Sequence, residues 1–169
     1  MHFLLLETIL LKKYSKKNLI IASPDAGGME RARAFAKRSN IVDLAMTDKR
    51  RAAPNVAEIT NVIGNVKGKY VLLIDDIIDT GGTAAKSAEA LIKAGAKGVS
   101  MFCTHGVLSG NAIQNIQNSS IDELIITDTI NNQAKLKKVK KIRVLSVADL
   151  FAKALRRIIN KKSISNLFS

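Results

Sequence analysis

Residues 71–83 read VLLIDDIIDTGGT, and this stretch decides the fold. Its aliphatic run is what a strand buried on both faces of a parallel sheet requires. The loop that follows is polar and holds two glycines between two threonines. Open parallel sheets bind ligands at the carboxyl ends of their strands, so we expect this loop to border a binding crevice.

The rest of the chain alternates strand-like and helix-like segments around this central strand. Strands are predicted at residues 18–22, 41–46, 70–78, 99–106 and 121–130, and helices at residues 29–40, 83–98, 108–118 and 144–162. This order implies right-handed crossovers and an α/β fold with a mainly parallel sheet flanked by helices. The segment 47–65 is polar, basic and interrupted by Pro54, which predicts a long mobile loop.

The helix after the TGGT loop carries apolar residues at helical spacing. We expect its buried face to consist of Ala85, Ala88, Leu91 and Ile92. In residues 1–17 the apolar stretch is short and is broken by Glu7, so neither a secretory signal nor a membrane span fits. A helix packed on the core is the prediction for that segment.

Composition limits the partners of the chain. Its 169 residues are 47% apolar, which suits one domain over residues 1–169. The formal net charge of +13 attracts anions such as nucleotides, sugar phosphates, nucleic acid or acidic lipid. Aromatic residues make up only 4% and there is no Trp, so we expect neither a base-stacking platform nor a nucleic-acid partner. Cys103 is the single cysteine, so an internal disulfide is excluded. We expect Cys103 to be a core residue and the protein to be cytoplasmic.

The DTGGT loop, residues 79–83, has the composition of a phosphate cradle. Its glycines let backbone N–H groups turn inward, its threonines add hydroxyl donors, and the next helix presents its positive end. Asp75 and Asp76 end a buried strand and therefore need a cation, a basic residue or the hydroxyls of a ligand. An acidic pair that binds a diol, next to a loop that binds phosphate, indicates a phosphorylated ribose.

This stretch resembles the phosphoribosyl-binding signature of the type I phosphoribosyltransferase fold. The surrounding stretches SPDAGG (23–28), TDKRRAAPNVAEITNVIGNVKGK (47–69), CTHGVLSGNAIQNI (103–116) and NSSIDELIITDTI (118–130) resemble the C-terminal half of the ribose-phosphate pyrophosphokinase family. The likeness runs from about residue 18 to the end of the sequence. A salvage phosphoribosyltransferase would share the DDIIDTGGT region but not the KRR loop or the CTH segment.

The resemblance implies an activity and its partners. In that family ATP donates its terminal diphosphoryl group to the C1 hydroxyl of ribose 5-phosphate, giving phosphoribosyl pyrophosphate and AMP. A Mg²⁺-dependent enzyme of nucleotide biosynthesis is therefore expected. The family also implies a homo-oligomer, built from dimers and often hexameric, or pairing with a separate N-terminal half.

The resemblance also carries site residues onto this sequence. Lys49 and Arg51 match the catalytic loop, and Arg51 also matches a ribose 5-phosphate contact. Asp25 matches a magnesium ligand, although a helix N-cap is an alternative role. The matched sugar-phosphate residues are Asp75 and Asp76 for the hydroxyls, and Asp79, Thr80, Gly81, Gly82 and Thr83 for the 5-phosphate loop. Asp79 is left with two roles, orienting loop amides or contacting a sugar hydroxyl.

Two further sites are implied less directly. Ser163, Ser165 and Phe168 match positions that line a regulatory nucleotide or phosphate site between subunits, and a frayed terminus is the alternative. His105 lies at a strand end near the predicted crevice, where it is either a general base or a residue that supports the site or caps an element.

The likeness covers nearly all of this chain but only half of the family's usual protein, whose preceding domain supplies the adenine pocket. We therefore expect weak binding of the sugar phosphate, and slow or no turnover without an N-terminal partner. Two other functions remain open at this point. One is a salvage phosphoribosyltransferase, which needs a hood segment over the base, and the other is a non-catalytic protein of the same fold that binds nucleotides or RNA. Lys49 and Arg51 argue against the latter.

Overall fold

The computed structural model describes residues 18–50 and 59–167. Its strands are β1 (Leu19–Ser23), β2 (Leu44–Arg50), β3 (Ile59–Ile63), β4 (Tyr70–Ile78), β5 (Gly98–Gly106), β6 (Ile121–Thr127) and β7 (Ile142–Leu145). Its helices are α1 (Met29–Arg38), α2 (Gly82–Lys93), α3 (Ala112–Asn118), α4 (Gln133–Leu136) and α5 (Ala148–Ile159), followed by a 3-10 helix at Ser165–Leu167. Within the described residues the strands form one sheet in the order β3-β2-β1-β4-β5-β6-β7. Only the β2–β3 pair of that sheet is antiparallel.

Both faces of the sheet are covered, as the aliphatic strands require. Val71 and Leu73 of β4 pack with α2 and α3 on one face. Leu72 and Ile74 of the same strand pack with α1 on the other face. These four side chains are buried, so alternate residues of one strand belong to two separate cores. The prediction of an α/β fold with a mainly parallel sheet is confirmed.

The chain leaves β1 and β4 in opposite directions. From β1 it passes through α1 to β2, and from β4 it passes through α2 to β5 on the other side. The loops after these adjacent strands therefore diverge and leave a crevice at the carboxyl edge of the sheet. The 79–83 loop follows β4 and borders this crevice, as the sequence predicts.

The prediction of a long loop at residues 47–65 is wrong at both ends. β2 continues through Arg50, and β3 pairs with it in antiparallel register. β3 is an edge strand of polar and apolar residues in which no continuous hydrophobic run marks a strand. Thr47 of β2 is fully buried although polar, because its hydroxyl has two hydrogen-bond partners. Residues 51–58, which include Pro54, lie outside the described residues.

The buried face of α2 also differs from the prediction. It consists of Ala84, Ser87, Ala88 and Leu91, whereas Ala85 is half-buried and Ile92 is exposed. An apolar pattern misses this face because one of its members is a serine. Ser87 is buried because its hydroxyl hydrogen-bonds to Thr47 of β2.

The closing helix is shorter than predicted. Residues 142–145 pair with β6 as the strand β7, and α5 begins only at Ala148. A four-residue edge strand offers too little periodicity to be recognised from sequence. The predicted N-terminal helix falls in residues 1–17, outside the described residues.

Candidate functional site

A cavity of about 230 Å³ opens between the loops that follow β1 and β4. The β1 loop forms one wall, and the end of β4 with the start of α2 forms the other. The predicted site residues that line it are Asp25, Asp75, Asp79, Thr80, Gly81 and Thr83. Asp76 and Gly82 are neighbours of these residues in sequence but do not line the cavity. Residues predicted from separate loops thus meet in one crevice.

The 79–83 loop turns the chain from β4 into α2. Gly81 is the N-cap residue of α2, and its φ of 73° is a left-handed conformation that favours glycine. A Cβ atom at this position would lie 3.3 Å from the side chain of Ile116, which is closer than an ordinary contact. No side chain caps α2 and its first turn contains no acidic residue. The N–H groups of that turn are therefore suited to donate to a bound anion.

Side chains from the segment before and within α3 hold this loop in place. The amide of Asn115 donates to the carbonyl oxygen of Thr80 over 2.8 Å. The backbone N–H of Ser109 donates to the carbonyl oxygen of Asp79 over 3.2 Å, and its hydroxyl donates to the Asp79 carboxylate. Asp79 therefore ties the loop to its neighbour. Its predicted contact with a sugar hydroxyl remains a prediction.

Arg31 of α1, which is not among the predicted site residues, bridges Asp75 and Asp76. Its Nη2 atom lies 3.2 Å from the Oδ1 atom of each carboxylate. The backbone N–H of Asp76 also donates to Oδ1 of Asp75 over 2.9 Å. The Asp75 side chain is 18% exposed and that of Asp76 is 51% exposed. The one available signal was that Arg31 follows the SPDAGG loop by three residues, in the first turn of a helix that begins beside the crevice.

The two carboxyl groups titrate differently. Burial raises the pKa of Asp75 from 3.8 to about 6, and the adjacent Asp76 carboxyl acts in the same direction. Burial acts on Asp76 as well, but its hydrogen bond with Asp75 and the charge of Arg31 outweigh this and lower its pKa. Asp76 is therefore the more readily ionised member of the pair, and Asp75 holds a proton more readily.

Asp25 lies on the opposite wall of the crevice. Its Oδ1 atom accepts from the backbone N–H of Gly28 over 2.9 Å, and its carbonyl oxygen accepts from the Ser23 hydroxyl over 2.7 Å. The Asp25 side chain therefore closes the loop before α1. It is not the N-cap of that helix, because the N-cap residue is Gly28 and no side chain caps it.

The residues fit a magnesium ion held mainly by substrate. Within the described residues, no group of three His, Cys, Asp or Glu side chains is placed to hold a metal ion. Mg²⁺ commonly binds through one or two carboxylates together with substrate phosphates and water. Asp25, which lines the crevice together with the 79–83 loop, suits that mode.

The other predicted residues include one that is exposed at a strand end and others that lie wholly or partly outside the described residues. Lys49 lies in β2, paired with Thr60 of β3, and Arg51 is outside the described residues. His105 is exposed and does not line the cavity, and its Nδ1 atom lies 2.9 Å from Oγ1 of Thr129. The role of His105 remains a prediction.

The predicted tail site consists of exposed serines beside an arginine. The Ser163 hydroxyl donates to the Ser165 hydroxyl over 3.1 Å. Nη1 of Arg157 donates to the carbonyl oxygen of Ser163 over 2.8 Å. Phe168 lies outside the described residues, so the regulatory site remains a prediction.

Two remaining expectations concern the core and the membrane. Cys103 is buried in the core, as predicted, and burial raises the pKa of its thiol. In the part of the chain that the structure describes, no helix has both the length and the apolar character to cross a bilayer.

The fold and the crevice define the class of protein first. The chain resembles the crystal structure of purine phosphoribosyltransferase from Pyrococcus horikoshii, with a TM-score of 0.54 at 18% identity over 86% of this chain and 84% of that chain. At this identity the likeness shows the fold alone. The protein therefore has the type I phosphoribosyltransferase fold that the sequence predicted.

The chain belongs to the family described as phosphoribosyl synthetase-associated domain, whose model matches residues 47–169. It is 48% identical over 160 residues to ribose-phosphate pyrophosphokinase of Pasteurella multocida, covering 95% of this chain and 51% of the relative. It is 53% identical over 149 residues to the protein of that name from Coxiella burnetii, covering 88% of this chain and 47% of the relative.

A solved structure supports the same family. Phosphoribosylpyrophosphate synthetase from Mycobacterium smegmatis matches with a TM-score of 0.84 at 34% identity, over 94% of this chain and 51% of that chain. The chain thus spans about half the length of the relatives it matches. The family resemblance inferred from the sequence is confirmed.

Proposed function

We propose that this chain forms the ribose 5-phosphate site of a ribose-phosphate pyrophosphokinase, an enzyme of nucleotide biosynthesis. The observation that carries the proposal is the crevice lined by Asp25, Asp75 and the 79–83 loop. The relatives named for this activity support it. The reaction transfers the terminal diphosphoryl group of ATP to ribose 5-phosphate and yields phosphoribosyl pyrophosphate and AMP.

The sugar phosphate binds across the crevice in this proposal. Its 5-phosphate accepts hydrogen bonds from the N–H groups at the start of α2 and from the hydroxyls of Thr80 and Thr83. Its ring hydroxyls donate to the carboxylates of Asp75 and Asp76, which line or adjoin the crevice floor. This orientation points the C1 hydroxyl away from the phosphate loop.

The chemical step is attack of the C1 oxygen on the β-phosphorus of ATP. A bond forms between that oxygen and the phosphorus, the bond from the phosphorus to the α,β-bridging oxygen breaks, and AMP leaves with that oxygen. The proton of the C1 hydroxyl passes to solvent or to a base. Charge accumulates on the phosphate oxygens, and we assign its stabilisation to Lys49 and Arg51.

Magnesium and the partners complete the proposal. Mg²⁺, bound to Asp25 and to substrate phosphates, would neutralise phosphate charge when present. The second substrate is ATP, and the chain acts as a homo-oligomer or with a separate N-terminal half. We place the protein in the cytoplasm, where nucleotides and sugar phosphates are available.

Calorimetry with the purified chain tests the proposed site. In the presence of Mg²⁺ we expect ribose 5-phosphate and phosphoribosyl pyrophosphate to bind, and we expect Asp75→Asn and Thr83→Ala to weaken each by about tenfold or more. Lys135→Gln, at an exposed position outside the crevice, is the control and should bind as the parent chain does.

A second measurement tests the reaction itself. AMP release from ATP and ribose 5-phosphate, measured with a complementing N-terminal half, should be lost in Lys49→Ala while sugar-phosphate binding is retained. Equal rates for the variant and the parent would remove Lys49 from the mechanism. Binding of a short RNA that is indifferent to Asp75→Asn, without sugar-phosphate binding, would contradict the proposed function.

A further inference from the structure

We infer that Arg31 is a positioning residue that holds Asp75 and Asp76 as one acceptor for neighbouring ribose hydroxyls, and thereby makes the site prefer ribose to 2-deoxyribose. This inference rests on the proposed function and deepens it, because it assigns the sugar specificity of the same crevice. It concerns a residue that no motif of the sequence pointed to.

The contact geometry gives Arg31 control over both carboxylates. A single nitrogen, Nη2, lies 3.2 Å from Oδ1 of Asp75 and 3.2 Å from Oδ1 of Asp76. Without a shared cation, two adjacent carboxylates repel each other and turn apart. One bridging nitrogen fixes their separation, so the pair can accept hydrogen bonds from two hydroxyls on adjacent carbon atoms.

The loop before α1 brings Asp25 and Arg31 close together, because both lie near Gly28. A Cβ atom on Gly28 would lie 2.3 Å from Oγ of Ser23 and 3.6 Å from Nη2 of Arg31. The backbone N–H of Gly28 also donates to the Asp25 carboxylate. One short loop therefore places Asp25 on the crevice wall and delivers Arg31 to the acidic pair.

The Nε atom of Arg31 shows that the arginine does not form a two-pronged ion pair through Nε. Within the described residues, Nε of Arg31 is buried and has no hydrogen-bond partner. A two-pronged contact with one carboxylate would be the stronger arrangement, and a buried N–H without an acceptor is costly. The observed contact instead shares one nitrogen between two acids, which suits a positioning role better than a stabilising one.

The alternative is an ion pair that only stabilises the fold, and a choice between sugars separates the two roles. Calorimetry of the whole chain with Mg²⁺ would compare ribose 5-phosphate, 2-deoxyribose 5-phosphate and inorganic phosphate. The parent chain should prefer ribose 5-phosphate to the deoxy sugar by about tenfold, the usual effect of one hydrogen bond to a charged group. In Arg31→Met the preference should fall to less than about twofold, while affinity for inorganic phosphate stays within about twofold.

Two variants complete the experiment. Arg33→Met removes an exposed arginine from the same helix and should leave the preference unchanged. Arg31→Lys keeps the charge but replaces the planar guanidinium by a flexible ammonium, so the preference should fall to an intermediate value. Circular dichroism checks that each variant is folded. If Arg31→Met does not fold, the lysine variant decides the question.

The outcomes separate this inference from the proposed function. A parent chain that binds none of the sugar phosphates overturns both. A parent chain that prefers ribose, with the same preference in Arg31→Met or in Arg31→Lys, overturns the role of Arg31 and leaves the function standing. Equal loss of ribose 5-phosphate, deoxy sugar and phosphate binding in a folded variant also overturns it, because the residue would then support the whole crevice rather than the hydroxyl contacts.

Discussion

Two buried hydroxyl groups, on Thr47 and Ser87, connect β2, α2 and the loop after β1. The Thr47 hydroxyl has one proton and donates it to the carbonyl oxygen of Pro24 over 2.9 Å. The Ser87 hydroxyl, 2.8 Å from the Thr47 hydroxyl, must then be the donor of that second bond. Both side chains are fully buried. This chain of hydroxyls ties α2 and β2 to the loop that carries Asp25.

Removing that connection should be destabilising and non-additive. Thr47→Val keeps the shape of the side chain but leaves Ser87 and Pro24 unpaired, so we expect a loss of about 1–3 kcal/mol in the free energy of unfolding. The double variant Thr47→Val/Ser87→Ala should lose less than the sum of the single changes, since it removes both hydroxyls. Urea unfolding measures all three, and simple additivity would contradict the arrangement.

The raised pKa of Asp75 should be visible in the pH dependence of stability. Between pH 3.8 and about pH 6, Asp75 holds a proton in the folded chain that it has released in the unfolded chain. Stability contributed by this group is therefore present at low pH and is lost as the pH rises through about 6. In Asp75→Asn this decline should disappear from unfolding curves recorded across the window. A decline of the same size in the variant would assign it to another group.

Sequence alone predicts residues that lie together in one motif. Asp75, Asp76 and the 79–83 loop are contiguous, so their chemistry can be inferred before the fold is known. Arg31 and Ser87 act through partners 44 and 40 positions away. No pattern within either helix announces such contacts, and only the packing of α1 and α2 on the sheet creates them.

Elements differ in how clearly the sequence marks them. β4 is aliphatic and central, and both its presence and its position at the crevice were predicted. β3 and β7 are short edge strands of five and four residues, and the sequence predicts a loop and part of a helix in their place. Burial on two faces produces a recognisable run, whereas burial on one face of a short strand does not.

Gly64 tests how closely β3 approaches β2. Its φ is 107°, and a Cβ atom there would lie 2.6 Å from the carbonyl oxygen of Leu44. Gly68 is also left-handed, with a φ of 74°, but has no atom within 4 Å of the same position. Gly68→Ala should therefore cost only about 1 kcal/mol, whereas overlap should raise the cost of Gly64→Ala to about 3 kcal/mol. Equal costs in chemical denaturation would place the two strands further apart than described.

The whole molecule combines a strong positive charge with one apolar helix face. The net charge of +13 favours anionic ligands and opposes contact between two copies of the chain. On α5, Phe151, Leu155 and Ile158 share one side and are 57–58% exposed. The expected self-association therefore has a surface available to it, and charge repulsion works against it.

We expect copies of this chain to associate through that face more strongly as salt is added. Raising the salt from roughly 50 mM to roughly 300 mM screens the repulsion between copies, so the association constant should increase. Leu155→Glu should shift the chain to monomer in sedimentation experiments. Lys153→Gln, on the opposite side of α5, changes the charge by the same amount and should not. A parent chain that stays monomeric at all salt concentrations would contradict this expectation.

The most direct measurement is a crystal structure of the chain with ribose 5-phosphate and Mg²⁺. We expect the 5-phosphate at the 79–83 loop, within hydrogen-bond distance of the first N–H groups of α2, and the ring hydroxyls at Asp75 and Asp76. A sugar phosphate bound outside the crevice would contradict the proposed site. A 5-phosphate bound beside Asp75 and Asp76, with no ligand at the 79–83 loop, would contradict it as well.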